Sequence, residues 1–306
     1  MKLSARASEM RADTITSVWN KWALGKYVTN KDDSEHNDGR YHPSMLFRCP
    51  AYIFLYMEQF PIAEDWKPEK QRVFGNGDGV HERIQVDLCR AGVLDVSMFD
   101  DTQETPISIP EYKIGGHTDG VLNFGPKEDT GKTFNFFGNE CPCYKFLDPS
   151  QRRILEIKSI NTMGFSKLTG AKAEHVSQAS IYGAALGINK IHFLYEDKNN
   201  QQWKEYVTIV DEEAVGEAKR TALLVEEWRR EFAKTNKIPD AVIAQARATA
   251  KRKDLPPWEV YAIRLLMPRV GARNVIKQWL RDREAHYANN NKPRAKKKRT
   301  IVRSKK

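Results

Sequence analysis

The sequence predicts an α/β protein: a β-sheet core flanked by helices, with helical extensions at both ends. Three observations predict it. Short β-branched apolar runs occur at Val121-Leu122 and at Ile154-Leu155-Glu156-Ile157, with the composition of buried strands. A helical pattern from Ala171 to Leu186 separates the second run from two more strand-like runs, Ile191 to Tyr195 and Trp203 to Val210. Helical patterns also fill Ala5 to Leu24 and most of the chain beyond Asp211. These patterns divide the chain into a helical extension (1–40), a core (41–210), a helical region (211–288) and a disordered basic tail (289–306).

Size and charge bound the function. The 306 residues are enough for a full hydrophobic core. No apolar run approaches the ~18 residues of a membrane span, and the first residues lack the apolar stretch of a secretory signal. The expectation is a reducing, cytoplasmic setting in which the four Cys need not pair. Nine of the 50 Lys and Arg lie between Lys292 and Lys306, where there is no acid, and the remainder nearly balance the 40 acids. The basic character therefore belongs to the tail. Lys296, Lys297, Lys298 and Arg299 suit contact with a nucleic-acid backbone, and a solubilising tail or a nuclear signal has the same composition.

Within the core, Ser44 to Tyr56 reads as an apolar helix that Pro50 kinks or divides. Gly75 to Gly79 reads as a glycine-rich turn before a helix on which Val80, Ile84 and Leu88 share a face. Val93 to Phe99 and Ile107 to Ile114 read as strands joined by Thr102 to Pro106, with Glu111 exposed. Thr133 to Phe137 reads as a strand, Gly138 to Cys143 as a loop, and Ser159 to Gly170 as a loop. Gly187 ends the helix from Ala171, Lys198 to Gln201 turns the last hairpin, and Asp211 caps the long helix after it.

The chemistry lies in charged residues set on apolar strands. A buried acid is costly unless it is paired or binds metal. Glu156 and Lys158 are two apart and point to one face of their strand. Asp119 opens the other run and could sit beside them if the strands are neighbours. Two carboxylates and an ammonium at one point suit a hard divalent cation. Alone, Glu-x-Lys also describes a solvated edge strand with surface ion pairs. Glu156 follows Asp119 by 37 residues, too many for a hairpin loop, so an insertion must fill the gap. It contains Cys141-x-Cys143, which with Cys49 and Cys89 could form a structural metal site but lacks paired C-x2-C spacing.

The set resembles the PD-(D/E)xK nuclease superfamily, in which an Asp at a strand end precedes Glu-x-Lys on the next strand. In motif order it resembles the RecB-type branch. Ser44, Cys49-Pro50 and Tyr52 look like that branch's opening helix. Gly77-x-x-x-His81, Gly116-x-x-Asp119, Glu156-x-Lys158 and Gln178-x-x-x-Tyr182 then follow in the branch's order. The resemblance spans Ser44 to Val210 and implies a restriction-endonuclease-like mixed sheet flanked by helices. It implies catalysis by Asp119, Glu156 and Lys158, and one or two Mg2+ or Mn2+ ions held by His81, Asp119, Glu156 and the Ile157 carbonyl. Gln178 and Tyr182 would contact the DNA strand, and His175, on a nearby face of their helix, could also approach DNA. Some RecB-type nucleases carry an iron–sulfur cluster on Cys residues after the last motif; this chain has no Cys beyond Cys143, so no such cluster is expected.

The activity so implied is metal-dependent hydrolysis of DNA, by an exonuclease acting on linear duplex or single-stranded ends in recombination, repair or replication. Stand-alone enzymes of phages and their host cells provide the nearest analogy, with a recombination or replication protein as partner. The alternatives are an endonuclease, a DNA-binding protein that does not cut, and a zinc-dependent interaction protein built on Cys141 and Cys143. Nothing in the sequence sets the oligomeric state.

Overall fold

The computed structural model describes residues 39–60, 68–101 and 103–252, with residues 260, 263, 266 and 281. The helix expected at Ala5 to Leu24, nearly all of that at Trp258 to Ala288, and the tail with Lys296, Lys297, Lys298 and Arg299 lie outside the described residues. In chain order the helices and strands are α1 (Pro50–Met57), α2 (Pro68–Arg90), β1 (Thr105–Ile109), β2 (Ile114–Thr118), β3 (Gly120–Asn123), β4 (Lys127–Phe136), β5 (Asn139–Phe146) and β6 (Arg152–Ile160). Then come α3 (Thr162–Ser166), α4 (Ala173–Leu186), β7 (Lys190–Asp197), β8 (Trp203–Ile209), α5 (Glu212–Thr235) and α6 (Asp240–Thr249).

The central sheet has strand order β3-β6-β7-β8. It is mixed: β6 is antiparallel to β3 and parallel to β7, and β7 is antiparallel to β8. The parallel step is bridged by α4, the helical crossover such a pair requires. Side chains along β6 and β7 alternate between two cores. Ile154, Phe193 and Tyr195 face α1, α4 and α5, meeting Ile181, Val225 and Phe54 in one cluster. Leu155, Ile157 and Leu194 face the other way and meet Val80, Ile84 and Cys89 of α2. Each such side chain taken from water contributes about 1.5–3 kcal/mol. Both faces of the sheet are therefore covered, and the chain has the expected α/β architecture.

Several boundaries differ from the sequence reading. No helix starts at Ser44; Pro43–Met45 is a single 3-10 turn and α1 begins at Pro50. The proline pushes Cys49 into an extended conformation and itself fits the first helical position. The glycines at 75, 77 and 79 do not form a turn but lie inside α2, and none adopts the positive φ a glycine turn would use. Val93 to Phe99 is not a strand: Leu94 makes one bridge to Leu122, and Val96–Met98 is a 3-10 turn. The strand expected over Ile107 to Ile114 is broken by a 3-10 turn at Pro110–Tyr112, with Lys113 left-handed at φ 52°. Glu111 on that turn is exposed, as expected. The loop expected at Gly138 to Cys143 shrinks to Phe137-Gly138, both at positive φ, the geometry of a two-residue hairpin turn. Cys141 and Cys143 thus stand on β5. The loop after β6 contains α3, capped by the Asn161 side chain, which accepts the Gly164 N–H at 2.7 Å.

Gly183 allows α4 to seat against the turn that follows it. A Cβ there would come 2.6 Å from the Ile188 carbonyl oxygen and 2.5 Å from a Val210 methyl. Gly183→Ala is expected to destabilise the fold by about 1–3 kcal/mol through this backbone clash. A shift in the urea midpoint measures it, and a variant as stable as wild type would refute the contact. Among the described residues, no helix is long and apolar enough to cross a membrane.

Candidate active site

The site forms where the chain changes ladders. β2 pairs with β1, β3 pairs with β6, and Asp119 is the single residue between β2 and β3. On one side of it, Thr118 Oγ1 donates to the Leu155 carbonyl at 3.0 Å. On the other, Gly120 has φ 145° and brings the backbone close to Leu94. The β3–β6 ladder ends at the pair Gly120↔Leu155, so Ile157 lies beyond its last rung. The Asp119 side chain fills that place: its Oδ2 accepts the Ile157 N–H at 2.6 Å.

Helix α2 fixes the acid from the other side. His81 Nδ1 lies 3.0 Å from Asp119 Oδ1, and Gln85, one turn on, donates Nε2–H to the Asp119 carbonyl at 2.7 Å. A carboxylate only accepts, so His81 carries its proton on Nδ1 and Nε2 is the nitrogen that could bind a metal. Burial alone would raise the Asp119 carboxyl. The His81 ring, the Lys158 ammonium and the Ile157 N–H outweigh it and hold the group below the usual carboxylate range. For His81 the balance is the reverse: burial would lower it, and Asp119 raises it.

Glu156 and Lys158 share the opposite face of β6 from Leu155 and Ile157, as their spacing requires. Glu156 is 2% exposed. Burial pushes its carboxyl up to about 7; the charge of Asp119 adds to this, and Lys158 opposes it. The Lys158 ammonium forms an ion pair with Glu156 Oε1, yet that oxygen is buried without a hydrogen bond of normal geometry. Burial would lower the Lys158 ammonium, but Glu156 and Asp119 raise it.

Helix α4 closes the site with one row of side chains, His175, Gln178 and Tyr182, at i, i+3 and i+7. Gln178 Nε2–H donates to the Tyr182 hydroxyl at 2.7 Å. Burial, and then the nearby charge of Glu156, raise the Tyr182 phenol well above its ordinary value, so it stays a neutral hydroxyl.

All seven core residues singled out in the sequence (His81, Asp119, Glu156, Ile157, Lys158, Gln178 and Tyr182) thus belong to one neighbourhood. Among the described residues no three His, Cys, Asp or Glu side chains already converge as a metal cage. Three of the four cysteines, Cys89, Cys141 and Cys143, are neighbours, and Cys49 stands apart from them. Cys49 Sγ donates to Thr249 Oγ1 at 3.3 Å in one core, while Cys89 and Cys141 hydrogen-bond in the other, so a four-thiolate site is not formed. Glu104 was missed. Its half-buried carboxyl is pushed up by burial and by the charge of Asp119, which places it at the rim of the site. Beside it, His117 Nε2 and Asp100 Oδ2 lie 3.0 Å apart. In sequence Asp100 and Glu104 sit in a polar stretch with no pattern to mark them, while His117 lies inside the Gly116-x-x-Asp119 motif.

No protein-family model matches the chain, and no curated protein matches it in sequence. Solved structures include two distant likenesses. The crystal structure of SSO0001 aligns at 16% identity and TM-score 0.35, over 70% of this chain and 88% of that one. An alkaline exonuclease (LHK-Exo) from Laribacter hongkongensis aligns at 17% identity and TM-score 0.38, over 67% of this chain and 98% of that one.

Proposed function

We propose that this protein is a metal-dependent DNA nuclease of the PD-(D/E)xK type, acting as an exonuclease on DNA ends. One observation carries the reading: Asp119 and His81, both distant in sequence from Glu156 and Lys158, meet them where the β3–β6 ladder ends. The motif order that resembles the RecB-type branch supports the finer assignment.

The residues present fit a hard divalent cation. Glu156 brings a fully buried carboxyl whose Oε1 has only the Lys158 ammonium beside it, and Asp119 brings an ionised one. His81 Nε2 and the Ile157 carbonyl complete a donor set that suits Mg2+ or Mn2+. When bound, such a cation supplies Lewis acidity to the phosphate and to a water. Lys158 keeps a positive charge beside the acids, where it can orient the attacking water and stabilise charge on the phosphate as it grows. Gln178 and Tyr182, locked together, hold the scissile strand. Asp119 keeps the His81 ring in one tautomer.

A second reading rests on the mutual pairing of His81 with Asp119 and of Lys158 with Glu156: a DNA-binding protein that does not cut. End-labelled linear and closed circular DNA, each incubated with Mg2+, Mn2+ or EDTA, separate the two. Metal-dependent loss of the linear form alone is the expected result. Cutting of the circle would make the enzyme an endonuclease. Binding of both without cutting would replace the nuclease reading by the second.

A further inference from the structure

We propose that His175 and Lys172 bind a backbone phosphate of the DNA, with Glu174 occupying that position when DNA is absent. The identity of the ligand rests on the nuclease reading above; the anion site rests on geometry that neither the catalytic residues nor their motifs include.

The argument begins with a buried hydroxyl. Tyr195 pairs with Lys158 across β6 and β7 and is fully buried. Its hydroxyl oxygen accepts the Lys172 backbone N–H at 3.0 Å and lies 2.8 Å from His175 Nδ1. A hydroxyl has one proton to give. If His175 donated from Nδ1, the buried hydroxyl would accept twice and its own proton would lack a partner. The satisfied arrangement has Tyr195 donating to Nδ1. His175 is then the neutral tautomer with its proton on Nε2. Burial, then the charges of Lys158 and Lys172, push the imidazole down to about 4, consistent with a ring that stays neutral. The ring also stacks on Tyr195 at 5.6 Å and 25°, which fixes its direction.

The remaining nitrogen faces an anion. His175 Nε2 is 3.5 Å from Glu174 Oε1, and the same oxygen is 3.8 Å from Lys172 Nζ. Glu174 is a neighbour in sequence, 71% exposed, so solvent weakens its hold on either cationic or donor partner. Its carboxylate shows that one anionic oxygen fits between a fixed N–H donor and an ammonium. His175 lies in the row of α4 that carries Gln178 and Tyr182, and Lys172 is the residue at which the helix starts. A phosphodiester spreads one negative charge over two acceptor oxygens, as a carboxylate does, and can displace the glutamate. His175 in this role is a substrate-positioning residue, recognising the backbone of either strand type without reading a base.

The test is read in EDTA, so that cleavage plays no part. A fluorescein-labelled DNA duplex is titrated with wild type, His175→Phe, His175→Gln and Glu174→Gln, and anisotropy gives Kd. Phe fills the ring's space without a donor and is expected to weaken binding about tenfold. Gln places an amide N–H near the position of Nε2 and is expected to recover most of that loss. Glu174→Gln, at an exposed position, is expected to tighten binding severalfold by removing the competing charge. Imidazole 15N resonances are expected to show Nε2 protonated and Nδ1 bare. His175→Phe binding like wild type, Gln failing as badly as Phe, unchanged affinity in Glu174→Gln, or a proton on Nδ1 would each overturn the proposal. Thermal melts by circular dichroism establish that each variant is folded. A wild type that shows this binding pattern but never cuts DNA in Mn2+ would leave the phosphate site standing and overturn the nuclease reading alone.

Discussion

Asp119→Asn is expected to lower DNA cleavage by about a thousandfold or more. The substitution keeps the shape of the side chain, so the loss isolates its chemistry. In the wild type both carboxylate oxygens accept, one from His81 Nδ1–H at 3.0 Å and the other from the Ile157 N–H at 2.6 Å. An amide has one oxygen. Whichever way it turns, its NH2 group must face an existing donor, either the imidazole or the peptide. The His81 ring loses the tautomer that leaves Nε2 bare, or the carboxamide leaves the end of the β3–β6 ladder. The negative charge that favours a cation is lost as well. Single-turnover cleavage of labelled linear DNA with Mn2+ measures the effect. A variant retaining more than about a tenth of the wild-type rate would remove Asp119 from the catalytic set.

Lys158→Met is expected to destabilise the metal-free protein in a pH-dependent way. Met nearly matches the lysine's volume, so packing changes little and the buried Glu156 loses its counter-ion. The Glu156 carboxyl already titrates at about 7 in the fold, above its ordinary value of 4.5. The folded state therefore holds this proton more tightly than the unfolded chain does. Stability from this group is present at acid pH and is lost as pH rises through that interval. Without Lys158 the folded value rises further, so the window extends upward. Each further pH unit costs ~1.4 kcal/mol, toward the ~3–5 kcal/mol typical of an orphaned buried charge. Urea unfolding in EDTA at about pH 5.5 and about pH 8.5 checks this. The variant should match wild type within about 1 kcal/mol at the lower pH and fall well below it at the higher. A loss of equal size at both would mean that the lysine acts through packing or through Asp119, which is ionised at both pH values, and not through Glu156.

Most residues of the candidate site were legible because they lie on regular elements, and Asp119, between β2 and β3, was marked by the apolar strand that follows it. Alternation placed Glu156 and Lys158 on one face of β6, and helical spacing aligned Gln178 with Tyr182. What periodicity cannot convey is contact across the chain. Glu104 stands in an irregular stretch, and only the folded backbone brings it toward Asp119. The same limit explains the cysteines. Cys141-x-Cys143 shares one face of β5, as a strand spacing of two requires, but Cys141 packs against Cys89 of α2 in the second core while Cys49 belongs to the first, which the sequence alone could not show. Propensity misled at α2, where the glycines invited a turn; the helix packs Val80 and Ile84 on the sheet and runs through them. At Pro50 and Pro110 the prolines did cut the expected segments, but one starts a helix and the other a single 3-10 turn.

The partner change at Asp119 also sets how accurately the site is placed. Its carboxylate reaches Ile157 only because Gly120 stands opposite Leu155. A slip of β3 by one residue would carry Asp119 away from its amide. The same slip would turn Val121 and Leu122 out of two different cores, since they point to opposite faces. The position of Asp119 is thus indexed by the oil on either side of the sheet. Misplacing the chemistry by one rung would drive Val121 and Leu122 each into the core packed for the other, so the interior acts as the gauge by which the site is measured out.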